Sequence, residues 1–424
     1  MRLLVLAWEF PPLGVGGLAQ HVFELSRALA DEGNVVDVIT RGDGNQLQNE
    51  VMEKVNVWRV IPYEWGAERG FVDWAYRLNF ALAEQGVRLC RVQGRYDLVH
   101  AHDWMVGPAA RLLKHTCYMP LVATIHATEF GRQGGLHTEE QNQISQMEWW
   151  LTYEAWKVIC CSQYMLDELK NLFQLPADKV AVIPNGIRAE AYGTSGEQVS
   201  LESMGLNTQD RIVFFVGRLV PEKGVQVLLE AAPAILEQFP RTRFVIAGKG
   251  PFQAQLKAKA LELNLMEQVN FVGYIDDLQR NALYQAASVA VFPSIYEPFG
   301  IVALEAMVSK TPVIVSTAGG LDEIVEHERD GLKVCPGDPV SLAFQINRLL
   351  ADRPWADSLA KKAYQKAVKE YSWKTISRTT EGVFREIVLS PENTRWQQTM
   401  QEEQAHQDFT IHRGQNEPVM PYFV

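Results

Sequence analysis

The segment Phe292-Pro-Ser-Ile-Tyr-Glu297-Pro-Phe-Gly300-Ile-Val-Ala-Leu-Glu305 decides how the rest of the chain is read. A short apolar strand over 289–292 breaks at Pro293, turns through Tyr296 to Gly300, and enters a helix predicted over 301–309. That helix is apolar nearly all round, which calls for burial. Glu305 is its only charge, and a buried carboxylate is costly unless it accepts hydrogen bonds. Glu297 lies in the turn, at the helix's positive end, beside free backbone N–H groups that suit a phosphate. Two carboxylates beside an anion-binding helix start point to a ligand with both hydroxyls and phosphates, as in a nucleotide sugar. On these residues alone the alternative stays open that Glu297 is an ordinary N-terminal helix charge and that Glu305 extends to water.

Outward from this segment the same strand–helix rhythm repeats. In the second half, strands are predicted at 212–216, 244–247, 269–272, 289–292, 312–316 and 332–334. Helices alternate with them at 224–237, 252–263, 278–286, 301–309, 321–326 and 339–351. The first half reads alike, with strands at 3–7, 35–40, 57–61, 98–101, 121–125, 158–161 and 180–183. Helices are predicted there at 18–31, 104–114, 144–155 and 163–173. Continuous apolar strands alternating with helices indicate parallel sheets covered on both faces. The class is α/β, with two Rossmann-like units. Pro184-Asn-Gly186 and the polar stretch up to Asp210 read as a hinge between them. The expected division is an N-terminal domain over 1–187, a C-terminal domain over 188–370, a helix over 371–390 crossing back over the hinge, and a polar, Gln-rich tail over 391–424 without fixed structure. Ligands bind at the carboxyl ends of such strands, so two facing units make an interdomain cleft.

Bulk properties agree. A chain of 424 residues is too long for one core. Lys plus Arg number 40 against 51 Asp plus Glu, a net charge of −11, which argues against nucleic acid or an anionic membrane as the main partner. The five cysteines show no Cys-x-x-Cys spacing and read as free thiols of a reducing compartment. No apolar run reaches the roughly 18–20 residues of a membrane span. A cytoplasmic enzyme is expected.

Three further stretches carry chemistry. Gly14-Val-Gly16-Gly17-Leu-Ala19 follows a strand and opens a helix, so bare backbone N–H groups can approach an anion there. It formally fits the dinucleotide fingerprint, which makes an NAD-dependent oxidoreductase, or a nucleotide-sugar epimerase of similar fold, the alternative class. Against it, the second strand ends Ile39-Thr40-Arg41 where that fold needs an acid. Gly217-Arg218-Leu-Val-Pro-Glu-Lys223-Gly224 is a second strand-to-helix turn, with two cations able to neutralise a diphosphate. His100-Ala-His102-Asp103-Trp104 ends one strand and Thr124-Ile-His126 the next. Alternation puts His100 and His102 on one side, but no third metal ligand has convincing spacing, so cleft lining is expected and metal is not. The chain has neither a Gly-x-Ser-x-Gly elbow nor a P-loop.

Taken in order, the Gly16-Gly17 loop with His21, Asn185-Gly186, Gly217-Arg218…Lys223-Gly224, and Glu297 with seven residues before Glu305 resemble retaining glycosyltransferases of the GT-B fold over about the first 390 residues. The His100–Trp104, Thr124–Glu129 and Tyr296–Glu305 stretches look most like bacterial glycogen synthases and related α-1,4-glucan glucosyltransferases. The resemblance implies a metal-independent hexosyltransferase without cofactor. Its donor would be UDP- or ADP-glucose and its acceptor an oligo- or polysaccharide, with another sugar and acceptor (exopolysaccharide, glycolipid or sucrose-type) as the alternative. It places Arg218 and Lys223 on the donor diphosphate, Gly16 and Gly17 on the phosphate, and Glu297 on the transferred sugar. Phe299, Gly300 and Ile301 would lie around the donor and Glu305 on its ribose. His126 would lie near the reacting carbon, and His102, Asp103 and Trp104 on the acceptor side. One departure is Gly14, where glycogen synthases usually carry Lys. It leans toward the wider group that uses UDP-, ADP- or GDP-sugars.

Overall fold

The computed structural model describes residues 1–14, 16–67, 70–192, 206–207, 209–399 and 402. The first domain holds β1 (Arg2–Leu6), α1 (Gly17–Asp31), β2 (Val35–Arg41), β3 (Asn49–Met52), β4 (Val55–Val60), α2 (Phe71–Gln93), β5 (Leu98–His102), α3 (Gly107–Thr116), β6 (Leu121–Ile125), α4 (Glu129–Gln133), α5 (Glu139–Glu154), β7 (Lys157–Cys160), α6 (Gln163–Phe173) and β8 (Val180–Val182). Its sheet runs β3-β4-β2-β1-β5-β6-β7-β8. Every pairing is parallel except β3 with β4. The central strands β1, β5 and β6 are wholly buried from Leu3 to Leu6, Leu98 to His102 and Leu121 to Ile125, which is why they are mainly apolar, with His100, His102 and Thr124 as the polar exceptions.

The second domain repeats the plan with β9 (Arg211–Val216), α7 (Val225–Gln238), β10 (Thr242–Ala247), α8 (Gln253–Glu262), β11 (Val269–Gly273), α9 (Asp277–Ala286), β12 (Val289–Phe292), α10 (Ile301–Val308), β13 (Val313–Ser316), α11 (Leu321–Ile324), β14 (Leu332–Val334), α12 (Pro339–Ala351) and α13 (Arg353–Glu370). The order is β11-β10-β9-β12-β13-β14, all parallel. Finally α14 (Trp373–Val388) returns to the first domain. Its Trp373, Ile376, Phe384 and Ile387 share one core with Leu3, Val22, Leu25 and Val122. The two chain crossings are tied together where Ile187 N donates to Tyr371 O at 2.7 Å. This is the two-unit fold with a returning helix expected from the sequence.

Four features depart from that reading. The 23-residue α2 went unpredicted; its N-cap is Gly70 with no capping side chain, so the usual Ser/Thr/Asp start signal is missing. The edge strand β3 is short and half exposed, with a weak apolar pattern. The 18-residue α13 follows α12 after the single residue Asp352, whose carboxylate caps it at Trp355 N, 2.9 Å. With no strand between them, the alternating rhythm does not announce a new element. The expectation of an unstructured tail from 391 fails for 391–399, which are helical. Asn393 is buried and donates to Val388 O at 3.1 Å, and Trp396 packs on Trp156 at 5.7 Å. Two anchoring side chains outweigh a polar composition. The rest of the tail (400–401 and 403–424), residues 193–205 and 208 of the hinge, and Val15 of the glycine loop lie outside the described residues.

Candidate functional site

The site forms where the carboxyl ends of both sheets approach. In the second domain the Arg218–Gly224 turn and the Pro293–Gly300 turn abut. Ile295 N and Tyr296 N donate to Glu222 O at 2.7 and 3.3 Å. Gly224, at φ +72°, lies against Pro293 O, where a side chain would collide with the backbone. Lys223 Nζ is thereby brought 2.7 Å from Glu297 Oε2, with both side chains largely buried (18% and 12% exposed). Arg218 is placed differently. Its side chain is half exposed and only 3.5 Å from Glu222 Oε1.

Gly300, at φ +110°, caps α10 without a side-chain acceptor. Across the cleft Gly16 caps α1, also without one. These two helix starts meet: a side-chain carbon on Gly17 would come within 3.3 Å of Ile301 Cδ1. Two positive helix ends from opposite domains therefore converge beside Lys223, an arrangement suited to an anion. Phe299 is buried near Tyr371, ring centroids 6.1 Å apart, and supports the turn from below.

Glu305 does not extend to water. Its Oε1 accepts from Tyr192 OH at 2.9 Å and its Oε2 from Tyr284 OH at 3.0 Å, with Arg280 Nε at 3.6 Å. The carboxylate is 11% exposed. A carboxylate has about four acceptor positions, so two remain for a ligand. Burial, then Glu305, pushes both tyrosine hydroxyls up from their usual range. Sequence reasoning missed all three partners. Tyr284 on a buried helix face was the available signal, because a buried phenol needs a partner.

The first domain contributes mainly imidazoles. His100 and His102 do point the same way, their rings 4.2 Å apart. His102 Nδ1 and His126 Nε2 share a hydrogen bond at 3.0 Å, and the His21 ring of α1 lies 4.6 Å from that of His126. The third imidazole that spacing did not supply thus comes from a helix. One ring nitrogen each of His21, His102 and His126 falls within 4.8 Å of the others, so the trio could hold a metal ion. Burial drives all three below the usual histidine range, His126 to about 4, so they are neutral at pH 7. Asp103, at φ +61°, accepts from His126 N at 2.8 Å; burial pushes its carboxyl up to about 6 against the pull of Arg132. Trp104, expected to line the acceptor side, is instead 4% exposed and packs among Ala75, Met105, Ile144 and Met147.

The domains also touch directly. Ser162 Oγ donates to Pro298 O at 2.7 Å, and Glu323 of α11 accepts from Gln163 N and Tyr164 N, both at 2.9 Å. Tyr296 OH donates to Glu168 at 3.1 Å and lies against Gly131. These contacts hold the Glu297 turn from the opposite domain. The sequence carried no signal for them. Among the described residues no helix is long and apolar enough to cross a membrane.

Comparison with known proteins agrees with this fold. Residues 15–191 match the glycosyltransferase family 4 model and residues 198–366 the model for glycosyl transferases group 1. The chain is 38% identical to an uncharacterised glycosyltransferase of Methanocaldococcus jannaschii over 91% of its length and 98% of that protein. It is 35% identical to a glycogen synthase of Mycobacterium tuberculosis over 91% of its length and 94% of that protein. Sucrose-phosphate synthase from Thermosynechococcus elongatus superposes with a TM-score of 0.77 at 26% identity, over 91% of this chain and 98% of that one. The paired sheets, the converging helix starts and these relatives together place the chain among the group 1 glycosyltransferases of the GT-B fold.

Proposed function

We propose that the chain transfers a hexose, with glucose as the first expectation, from a nucleoside-diphosphate sugar to an α-1,4-glucan, with retention of configuration and without a metal. The observation that carries the donor assignment is the meeting of the two uncapped helix starts, at Gly17 and Ile301, beside Lys223. Fixed dipoles and cations aimed at a leaving diphosphate stabilise developing charge without reorganising. The 35% identity to a glycogen synthase supports the glucan acceptor.

In this reading the α1 and α10 amides, Arg218 and Lys223 hold the diphosphate. Lys223 exchanges Glu297 for a phosphate oxygen, and the freed Glu297 accepts from hydroxyls of the transferred sugar. Glu305, already oriented by two tyrosines, accepts from the ribose. His126 lies near the reacting carbon, and His102 and Asp103 lie on the acceptor side. The C1–O bond to phosphate breaks as the acceptor oxygen bonds C1 from the same face, and the acceptor proton passes to the departing phosphate oxygen. Neutral histidines there can donate to hydroxyls without repelling the cations opposite. Closure of the two domains excludes water and limits donor hydrolysis.

The test is incubation with a panel of nucleotide sugars, with and without maltooligosaccharides, following nucleoside diphosphate release and the anomeric NMR signal of the product. Acceptor-dependent release with an α-linked product is expected. Donor conversion without any acceptor, or a nicotinamide absorbance change, would overturn the reading. Unchanged turnover in excess chelator is expected. A loss restored by zinc would assign a metal to His21, His102 and His126 instead.

A further inference from the structure

The five cysteines are spread along the chain, and the fold brings two of them face to face. Helices α2 and α3 each carry the chain from one strand to the next parallel one, so they run in the same direction and share one core. Asn79 of α2 donates to Met105 O at 2.8 Å and accepts from Ala109 N at 2.9 Å, which sets their register. Further along, a side-chain carbon on Gly86 would come within 2.6 Å of Leu113 Cδ1, so the helices all but touch there. Four residues on from Gly86 is Cys90, and four on from Leu113 is Cys117, whose N–H still bonds Leu113 O at 2.9 Å. Each step is about one helical turn, so the register sets the two thiols opposite each other. They interact side chain to side chain, and both are half-buried. A disulfide needs Cα atoms about 4.4–6.8 Å apart, and a glycine contact one turn away lets two helices approach that closely.

The surroundings are electropositive. The Arg2 guanidinium, fixed on Gln93, lies beside Cys90, and Arg91 lies beside Cys117. The hydrogen bond between the thiols, then Arg91, pulls Cys117 below its usual range against the effect of burial; the same bond, then burial, pushes Cys90 up. Cys117 is therefore the nucleophile and Cys90 the reserve thiol. The other three cysteines are placed differently. Cys160 and Cys161 are buried, their thiols turned to Ser162 O and Pro298 O, and Cys335 is exposed.

We propose that Cys90 and Cys117 are a reversible dithiol–disulfide pair, oxidised by a low-molecular-weight disulfide such as that of glutathione, and that the bond clasps α2 to α3. The Cys117 thiolate attacks one sulfur of the glutathione disulfide; that S–S bond breaks, and one glutathione leaves and takes up a proton. Cys90 then gives its proton to water and attacks Cys117 Sγ. The mixed S–S bond breaks and the second glutathione leaves and is protonated. Two electrons pass from the protein dithiol to the glutathione disulfide, which ends as two thiols. In a reducing compartment the clasp is open, in keeping with free thiols, and an oxidising load closes it. It lies at the amino ends of β5 and β6, opposite the cleft, so it acts on stability and is independent of the transfer reaction. By tying the end of α2 to the end of α3 across β5 it restricts the unfolded chain.

The test equilibrates the full-length protein in reduced or oxidised glutathione, blocks the remaining thiols with N-ethylmaleimide, and maps the peptides by mass spectrometry. The oxidised wild type should lose two hydrogens and two alkylation sites, and yield one peptide pair joined through Cys90 and Cys117 that dithiothreitol separates. It should also melt several degrees above the reduced protein. Cys90→Ser should stop at a glutathione adduct on Cys117, and its melting temperature should not rise on oxidation. Alkylation of all the cysteines after oxidation would overturn the pair. So would a bond joining Cys160 to Cys161, a dimer linked through Cys335, or a wild type arrested with glutathione on Cys117. A Cys90–Cys117 bond that leaves the melting temperature of the wild type unchanged would overturn the clasp. These readouts need neither donor nor acceptor, so they stand or fall apart from the transfer reading.

Discussion

The two faces of the cleft are built from opposite materials. On the second domain the site is ionic, with a Lys223–Glu297 pair at 2.7 Å, a half-exposed Arg218 and a carboxylate held by two tyrosines. On the first domain it is mostly imidazole, with rings packed on one another and held uncharged by burial, and with Asp103 beside them. The difference follows the chemistry each face would meet. A diphosphate needs permanent cations. A sugar hydroxyl needs donors and acceptors that do not compete with those cations for charge. Substitutions that put charge on the neutral face, or remove it from the ionic one, should therefore fail in different ways.

The largest expected effect is on the ionic face. Lys223→Ala should lower kcat on the order of a hundredfold, the roughly 3 kcal/mol lost with a preorganised donor to developing charge. Arg218→Ala should cost a similar amount. The structure separates the two in stability. Lys223 is the partner of a largely buried Glu297, whereas Arg218 is half exposed. Removing Lys223 should lower the melting temperature and removing Arg218 should not. Steady-state kinetics with a thermal melt on each variant checks both parts, and near-wild-type turnover in either would remove that residue from the diphosphate.

Next in size is Glu305→Ala. Its carboxylate joins Tyr192, Tyr284 and Arg280, so the variant takes the acceptor from the buried Tyr192 hydroxyl, while Tyr284 OH keeps Val302 O at 3.1 Å and Arg280 keeps Asp277. A loss of roughly 2 kcal/mol in denaturant unfolding is expected from the two lost bonds to a charged acceptor and the one unpaired hydroxyl. A ribose contact alone would leave stability of the unliganded protein unchanged, so this measurement separates the structural role of Glu305 from its binding role.

These three variants also show where the sequence was legible. The Glu297–Glu305 stretch, the Gly217–Gly224 turn and the strand ends carrying His102 and His126 were readable, because each is a local strand-to-turn-to-helix pattern with chemistry at a fixed spacing. What holds Glu305 was not, because Tyr192 comes from the end of the first domain, and Arg280 and Tyr284 come from one turn of α9, both far from Glu305 in the chain. His21 joins His102 and His126 only through the packing of α1. The helix α2 was invisible for a local reason: its start is a glycine and its close packing on α3 depends on Gly86 set against Leu113, a residue that reads as a helix breaker. Long-range pairing and Gly-mediated contact leave no periodic trace.

On the neutral face the comparison predicts a pH signature. His100 is buried against His102 and Phe384, its Nε2 bonded to Thr124 at 2.7 Å, and burial lowers it to about 3. Its folded value lies below its unfolded one, so the unfolded chain binds the extra proton between about pH 3 and 6.5. The stability it contributes is complete above that window and is lost as pH falls through it. His100→Asn should flatten the fall in unfolding free energy across this window by about 1.4 kcal/mol per pH unit, the slope of one proton. Urea unfolding at several pH values between 4.5 and 6.5 measures it. An unchanged slope would mean that His100 takes up its proton in the folded state.

The smallest effect expected is at the seam between the faces, and it tests whether they are held together by design. Glu323 belongs to the ionic domain, yet both its oxygens are taken by the first amides of α6 in the neutral one, Gln163 N and Tyr164 N at 2.9 Å each. A carboxylate on a helix N-terminus is worth about 0.3–1 kcal/mol when exposed, and here that energy exists only while the domains are closed. Beside it Ser162 Oγ reaches Pro298 O, one residue from Glu297, so closure and the placement of Glu297 are one event. Glu323→Ala should therefore shift the closed–open balance a few-fold, raising KM for the donor more than it lowers kcat. It should also enlarge the radius of gyration in solution scattering, partly restored by a nucleoside diphosphate. Glu323→Gln keeps an acceptor oxygen without the charge and should fall between. Glu326→Ala removes a nearby carboxylate whose partner, Arg329, is in the same domain, and should change neither quantity. If Glu323→Ala scatters like the wild type with and without nucleotide, the seam is held by the Tyr296 and Ser162 contacts alone, and the ionic face contributes nothing to closing over the neutral one.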